Sequence, residues 1–204
     1  MTIEVLRAAV RAAAPWKNGG GVTREVAAHP PGSGFDTLDW RVSIAQILTS
    51  GPFSTLPGLD RRLAVLEGRL ALAVDGAPAV QISPDTPALH FPGELAVQAH
   101  PIGGEVTDLN VMTRRERFSS VLTLHRAPHT VRLAKAPGSV LVVALTALVL
   151  KTETAAWRLL PLDGARLEGG AVYELHPQGD GARFYVIQLL AQELRGERVS
   201  GRPI

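Results

Sequence analysis

The chain of 204 residues has no cysteine. That absence removes a thiol nucleophile, a Cys-type zinc site, an iron–sulfur cluster and a disulfide framework, and it fits a cytoplasmic protein. Long apolar runs are also missing. The longest charge-free one, Val140 to Leu150, has eleven residues, where a membrane-spanning helix needs about 20. The first stretch, MTIEVLRAAVRAAAPW, carries Glu4, Arg7 and Arg11 among its apolar residues and does not read as a signal peptide. An excess of one charge is lacking too: 21 Lys and Arg face 19 Asp and Glu, leaving +2. Such a mixture does not attract a polyphosphate, so neither nucleic acid nor a membrane is the expected partner. What remains is 46% apolar and 20% charged, an ordinary globular balance. A chain of this length buries about 70% of its unfolded surface without metal or disulfide staples.

Twenty Gly and fifteen Pro are spread along the whole sequence. They cut it into segments of about 5–10 residues, the spacing of strands and turns. Convincing helices are scarce. Val5–Ala14 is Ala-rich, while Thr2–Leu6 reads equally as a strand. The pattern predicts an all-β sandwich or barrel. VLEGRLAL (Val65–Leu72) is faintly echoed about 77 residues later by VVALTALVL (Val142–Leu150), which predicts two similar β units. The polar end, GERVSGRPI, is expected to fray.

Four segments concentrate polar chemistry. WKNGGGVTRE gathers Trp16, Lys17, Asn18, Thr23 and Glu25 around three consecutive glycines, including Gly19 and Gly20. Those glycines supply unusual backbone angles, let a ligand approach the backbone, or simply make a turn. No phosphate-loop pattern is present. In a strand, Thr23 and Glu25 share a face. In DWRVSIAQI, alternation sends Trp40, Val42 and Ile44 one way and Arg41, Ser43 and Ala45 the other. Arg41 offers a donor fork suited to a carboxylate. In GPFSTLPGLDRRL, Asp60 is either a turn cap, the favoured reading, or a site residue, and Arg61 is read as a site residue because it opens an otherwise buried strand. In GGEVTDLNVM, Val106, Asp108, Asn110 and Met112 share a face. An acid and an amide among apolar neighbours must find partners if buried. The six histidines show no HxH or HExxH spacing, and there is no GxSxG elbow.

In this order and spacing, WKNGGGVTRE, DWRVSIAQI, GPFSTLPGLDRRLAVLEG, FPGE and DLNVMTRR resemble the HutD/Ves family, strongly over about residues 5–120. The resemblance implies a duplicated cupin (bicupin) architecture, with halves at 1–115 and 116–204, and a link to histidine utilisation. Metal cupins carry G-x5-H-x-H-x3,4-E-x6-G. Aligning its last glycine with Gly68 places Arg61 at the Glu position and Thr55 and Pro57 at the His positions, while Asn110 and Val106 fall on the second signature. A metal-free standard site without cofactor is therefore expected. The resemblance alone also leaves a homodimer open.

The expected ligand set is Trp16, Lys17, Asn18, Gly19, Gly20, Thr23, Glu25, Trp40, Arg41, Ser43, Arg61, Asp108 and Asn110. Cations, amides and aromatic walls suit a small acidic metabolite, a dicarboxylate or acylated amino acid, and the resemblance implies an intermediate of histidine utilisation such as N-formylglutamate, bound in a regulatory role. The alternative is an enzyme, such as a hydrolase, isomerase or epimerase, with Glu25 or Asp108 as general base. An interaction-only module finds no supporting helix or tail.

Overall fold

Apolar segments that are too short for helices and are closed by Gly and Pro can satisfy their backbone groups only by pairing with one another. The computed structural model describes residues 2–134, 138–168 and 172–192. Among them are nineteen strands and one 3-10 turn, Ala8–Val10. The first eleven strands are β1 (Thr2–Leu6), β2 (Ala13–Pro15), β3 (Gly21–His29), β4 (Trp40–Ile47), β5 (Gly51–Pro52), β6 (Leu59–Glu67), β7 (Leu70–Val74), β8 (Val80–Ile82), β9 (Leu89–Pro92), β10 (Val97–Pro101) and β11 (Val106–Arg114). The other eight are β12 (Phe118–Ala127), β13 (Val131–Leu133), β14 (Ser139–Ala144), β15 (Leu148–Lys151), β16 (Ala156–Leu159), β17 (Gly164–Glu168), β18 (Tyr173–Pro177) and β19 (Ala182–Ala191). The ambiguous N-terminal stretch is thus a strand followed by a single tight turn. The GERVSGRPI end lies outside the described residues, and no helix among those described is long and apolar enough to cross a membrane.

The strands form four sheets. Their orders are β2-β3-β4-β11-β6-β9, β5-β10-β7-β8, β1-β17-β14-β19-β12 and β13-β18-β15-β16. Adding eight to each strand number of β4-β11-β6-β9 and β5-β10-β7-β8 reproduces β12-β19-β14-β17 and β13-β18-β15-β16. The fold is therefore an internal duplication, and the echo between Val65–Leu72 and Val142–Leu150 falls on the corresponding hairpins β6–β7 and β14–β15. Two additions break the symmetry. Strands β2 and β3 extend the first large sheet. Strand β1, from the N-terminus, pairs with β17 in the other large sheet.

The sheets stack in four layers. The two large sheets lie back to back in the middle, where Val42, Ile44, Leu109 and Val111 meet Leu141, Val143, Ile187 and Leu189. The small sheets cover their outer sides, with Leu63, Val65, Leu70, Leu72 and Val97 filling one interior. The interior of the second unit is apolar from Val140 and Val142 through Leu150 to Phe184 and Val186. The central strands of both large sheets are thus covered on both faces. This explains why Val140–Ala144 reads as an unbroken apolar run. In β4 and β11, by contrast, one face is apolar and the opposite one polar, and that polar face lies inside the first unit. Leu109 is fully buried between the two large sheets. Leu109→Ala should lower unfolding free energy by about 2–5 kcal/mol in urea titrations.

Candidate functional site

The polar inner face of the first unit borders a cavity of about 660 Å³. Strand alternation builds its floor. Strand β4 contributes Arg41, Ser43 and Ala45, β6 contributes Arg61, and β11 contributes Asp108, Asn110 and Met112. The ladder sets Asn110 opposite both Ser43 and Leu63, and Met112 opposite both Arg41 and Arg61. Four strand-borne polar side chains, Ser43, Arg61, Asp108 and Asn110, are each no more than 5% exposed.

Arg61 is the unusual member of this group. Its guanidinium carbon lies 5.0 Å from the ring centre of Phe53 and 5.3 Å from that of Phe91, and such cation–π contacts soften the cost of burial. Among the described residues its Nε has no hydrogen-bond partner, and Nη1 reaches only the Ser54 carbonyl, at 3.4 Å. Among the described residues it forms no salt bridge. Burial pushes its pKa down to about 10, against the pull of Asp108, so it remains a cation at neutral pH. Asp108, 1% exposed, receives the Ala45 backbone N–H, while its Oδ1 has no partner. Burial pushes its pKa up to about 7, and Arg61 only partly offsets that rise. The Oδ1 of Asn110 is likewise buried without a partner.

The mouth is made by the hairpin between β2 and β3. Trp16 donates its Nε1–H to Thr23 Oγ1 at 2.8 Å and meets Phe53 edge to face at 6.0 Å. Asn18 Oδ1 accepts the Gly20 N–H at 3.0 Å, and Gly19 takes a φ of +70°. A side chain at Gly21 would lie 2.5 Å from the Gln46 carbonyl and 3.1 Å from the Trp16 indole. The glycine triplet therefore makes the turn and seats the indole. Lys17 and Asn18 stand exposed at the rim, and Arg41 lies 5.1 Å from the ring centre of Phe35.

Nine of the thirteen residues expected from sequence line this one cavity: Trp16, Lys17, Asn18, Thr23, Arg41, Ser43, Arg61, Asp108 and Asn110. Four do not. Trp40 is 2% exposed on the opposite face of β4, in the core between the large sheets, with Arg166 above its ring at 5.4 Å. The alternation that puts Arg41 in the cavity requires this. Glu25 precedes a register shift in β3 and stands outside the lining, with its Oε2 3.0 Å from Arg41 Nε in a geometry that makes no hydrogen bond. Gly19 and Gly20 serve the turn. Asp60 is no turn cap: it lies within β6 and accepts the Arg115 Nε–H at 2.7 Å. The sequence reading missed Phe35, Phe53, Leu56 and Met112 as site residues. Met112 shares the alternation of Asp108 and Asn110 and was legible from it, whereas Phe35 sits on an irregular loop with no period to read.

These residues do not suit a metal ion. The inner face presents a buried guanidinium, which repels a cation, and no three His, Asp or Glu side chains converge among the described residues. They do suit an anion.

The raised pKa of Asp108 also sets a pH dependence of stability. The folded chain holds this proton up to about pH 7, whereas an unfolded Asp releases it near pH ~3.9. The stabilisation is therefore complete below the unfolded value and lost as pH rises towards the folded one. Asp108→Asn should become progressively more stable relative to the parent between those limits and level off above them, as followed by urea unfolding across pH.

The HutD family profile matches residues 8–185. An uncharacterized 21.2 kDa protein of the hutC 3' region in Pseudomonas putida is 36% identical over 194 residues, covering 93% of this chain and 98% of that one. Protein Ves of Cronobacter sakazakii is 30% identical over 172 residues, covering 78% and 92%. The solved structure of HutD from Pseudomonas fluorescens SBW25 superimposes with a TM-score of 0.80 at 28% identity, covering 94% and 100%. A cupin 2 conserved barrel domain protein from Leptotrichia buccalis shares the fold, with a TM-score of 0.59 at 11% identity over 82% and 88%. The chain thus belongs to the HutD/Ves family of cupin-fold proteins, a family linked to histidine utilisation.

Proposed function

We propose that the protein is a cytoplasmic receptor for a small carboxylated metabolite, held in the first-unit cavity without a metal, with a regulatory role in histidine utilisation. One observation carries the reading: Arg61 is a buried cation on the cavity floor without a salt bridge among the described residues. A buried charge that Asp108 compensates only in part is costly, and an entering carboxylate would relieve that cost with charge-assisted hydrogen bonds. Arg41 and Lys17 nearer the mouth provide for a second anionic group, so the favoured class is a dicarboxylate or acylated amino acid. N-formylglutamate is the first candidate. The related P. fluorescens HutD was solved in a formate condition, and formate is the simplest member of the proposed ligand class.

A second reading is catalysis, favoured by the position of Asp108. A buried carboxyl with a pKa near neutrality beside a cavity is suited to general acid–base work. Glu25 stands outside the cavity and drops out of that reading. Conversion of the bound acid, lost in Asp108→Asn while binding survives, would favour the enzyme.

Calorimetric titration with N-formylglutamate and related acids tests the receptor reading. Arg61→Gln should weaken binding about 10- to 150-fold, the loss of a charged hydrogen bond worth about 1.5–3 kcal/mol. No heat and no NMR shift change with millimolar acid and folded protein would sink it.

A further inference from the structure

The floor of the cavity places an acid beside the cation expected to take the ligand, and among the described residues the acid is in no salt bridge. Asp108 is 1% exposed, its Oδ1 is buried without a partner, and the Ala45 backbone N–H is one group that serves its carboxylate. An ionised carboxyl so placed lacks water, and the charge of Arg61 offsets that loss only in part. A ligand carboxylate entering the same cavity adds a like charge and removes still more water, and both effects favour the neutral acid. Neutral Asp108 also gains a role: its O–H can donate to the incoming carboxylate while Arg61 pairs with that group from β6. The Asn110 amide lies two residues along β11 on the same face.

Building on the carboxylate reading of this cavity, we propose that ligand binding is coupled to protonation: the site captures a carboxylate together with one proton, which resides on Asp108. The proton comes from solvent and no covalent bond changes. The receptor would then respond to pH as well as to its metabolite, and it would bind mono- and dicarboxylates in preference to neutral amides.

The other charged groups around Asp108 do not account for such a proton. Arg61 remains charged well above neutrality, with a pKa near 10. From β4, Arg41 lines the cavity with Glu25 of β3 beside it, and Lys17 stands at the rim. His90 and His100, on the flanking strands β9 and β10, are exposed and outside the lining. The carboxyl groups of the ligand ionise near pH ~4 and stay ionised across the range of interest.

The test is calorimetric titration of the full chain with N-formylglutamate, and with glutarate as second probe, in paired buffers of different ionisation enthalpy. Proton uptake should be near zero at about pH 6 and approach about one per ligand at about pH 8.5, with affinity falling about tenfold per pH unit above pH ~7. Asp108→Asn keeps a neutral donor in place. It should abolish the uptake, flatten the pH profile and bind more tightly than the parent at about pH 8.5. Binding without proton uptake, uptake that persists in the variant, or loss of binding by the folded variant at high pH overturns this proposal and leaves the receptor reading standing. Failure of the parent to bind either acid at any pH overturns both. If the variant does not fold, the proton count of the parent decides alone.

Discussion

The first large sheet faces two interiors at once, and most of the structure follows from that constraint. One side must be apolar to pack on its duplicate across the middle of the molecule. The other encloses space beneath the small sheet. A strand cannot mix these duties, because its side chains alternate. In β4 the alternation therefore splits Trp40, Val42 and Ile44 from Arg41, Ser43 and Ala45, and in β11 it splits Leu109 and Val111 from Asp108, Asn110 and Met112. The polar set is committed to a buried face, where each group must find a partner. Several lack one among the described residues: Arg61 Nε, Asp108 Oδ1 and Asn110 Oδ1. Unpaired groups of this kind are uncommon in a settled interior, and here they point into a cavity.

The duplication sharpens the point. The second unit repeats the strand order of the first, yet where the first carries Arg61, Asp108 and Asn110 its interior gathers Val140, Val142, Phe184, Val186 and their apolar neighbours. The first unit keeps a hollow with charge in it. The two remain tied together by the shared core between the large sheets and by β1, which leaves the second unit's sheet to lead into the hairpin at the cavity mouth. Asp163 secures that passage by accepting hydrogen bonds from Arg7 Nη1 and the Ala8 N–H, each at 2.7 Å.

Much of this was legible in the sequence, and what escaped has physical reasons. Period-two alternation located the floor residues on β4 and β11 because that face is polar inside and apolar behind. The same rule, applied strictly, would have removed Trp40 from the site. Glu25, opposite Ser43, keeps the register of Thr23 and still escaped, because its carboxylate turns to Arg41 instead of the cavity, which no periodicity foretells. Phe35 comes from an irregular loop whose course is set by distant contacts, among them Arg114 Nη2 to its carbonyl at 2.9 Å. The glycine triplet pointed to the right place for the wrong reason: it turns the chain and seats an indole. Strands β2, β5, β9 and β17 are short and carry Gly or Pro, so no period-two pattern can be read in them. The placement of β1 in the sheet of the other unit is a long-range pairing that local pattern cannot express.

The central claim is that the buried guanidinium of Arg61 is the seat of an anion. A crystal structure of the complete protein with N-formylglutamate tests it most directly. The account predicts a carboxylate oxygen within about 2.7–3.1 Å of an Arg61 nitrogen, between Phe53 and Asp108. The ligand bound elsewhere, or a cavity left unfilled at saturating ligand, would contradict it.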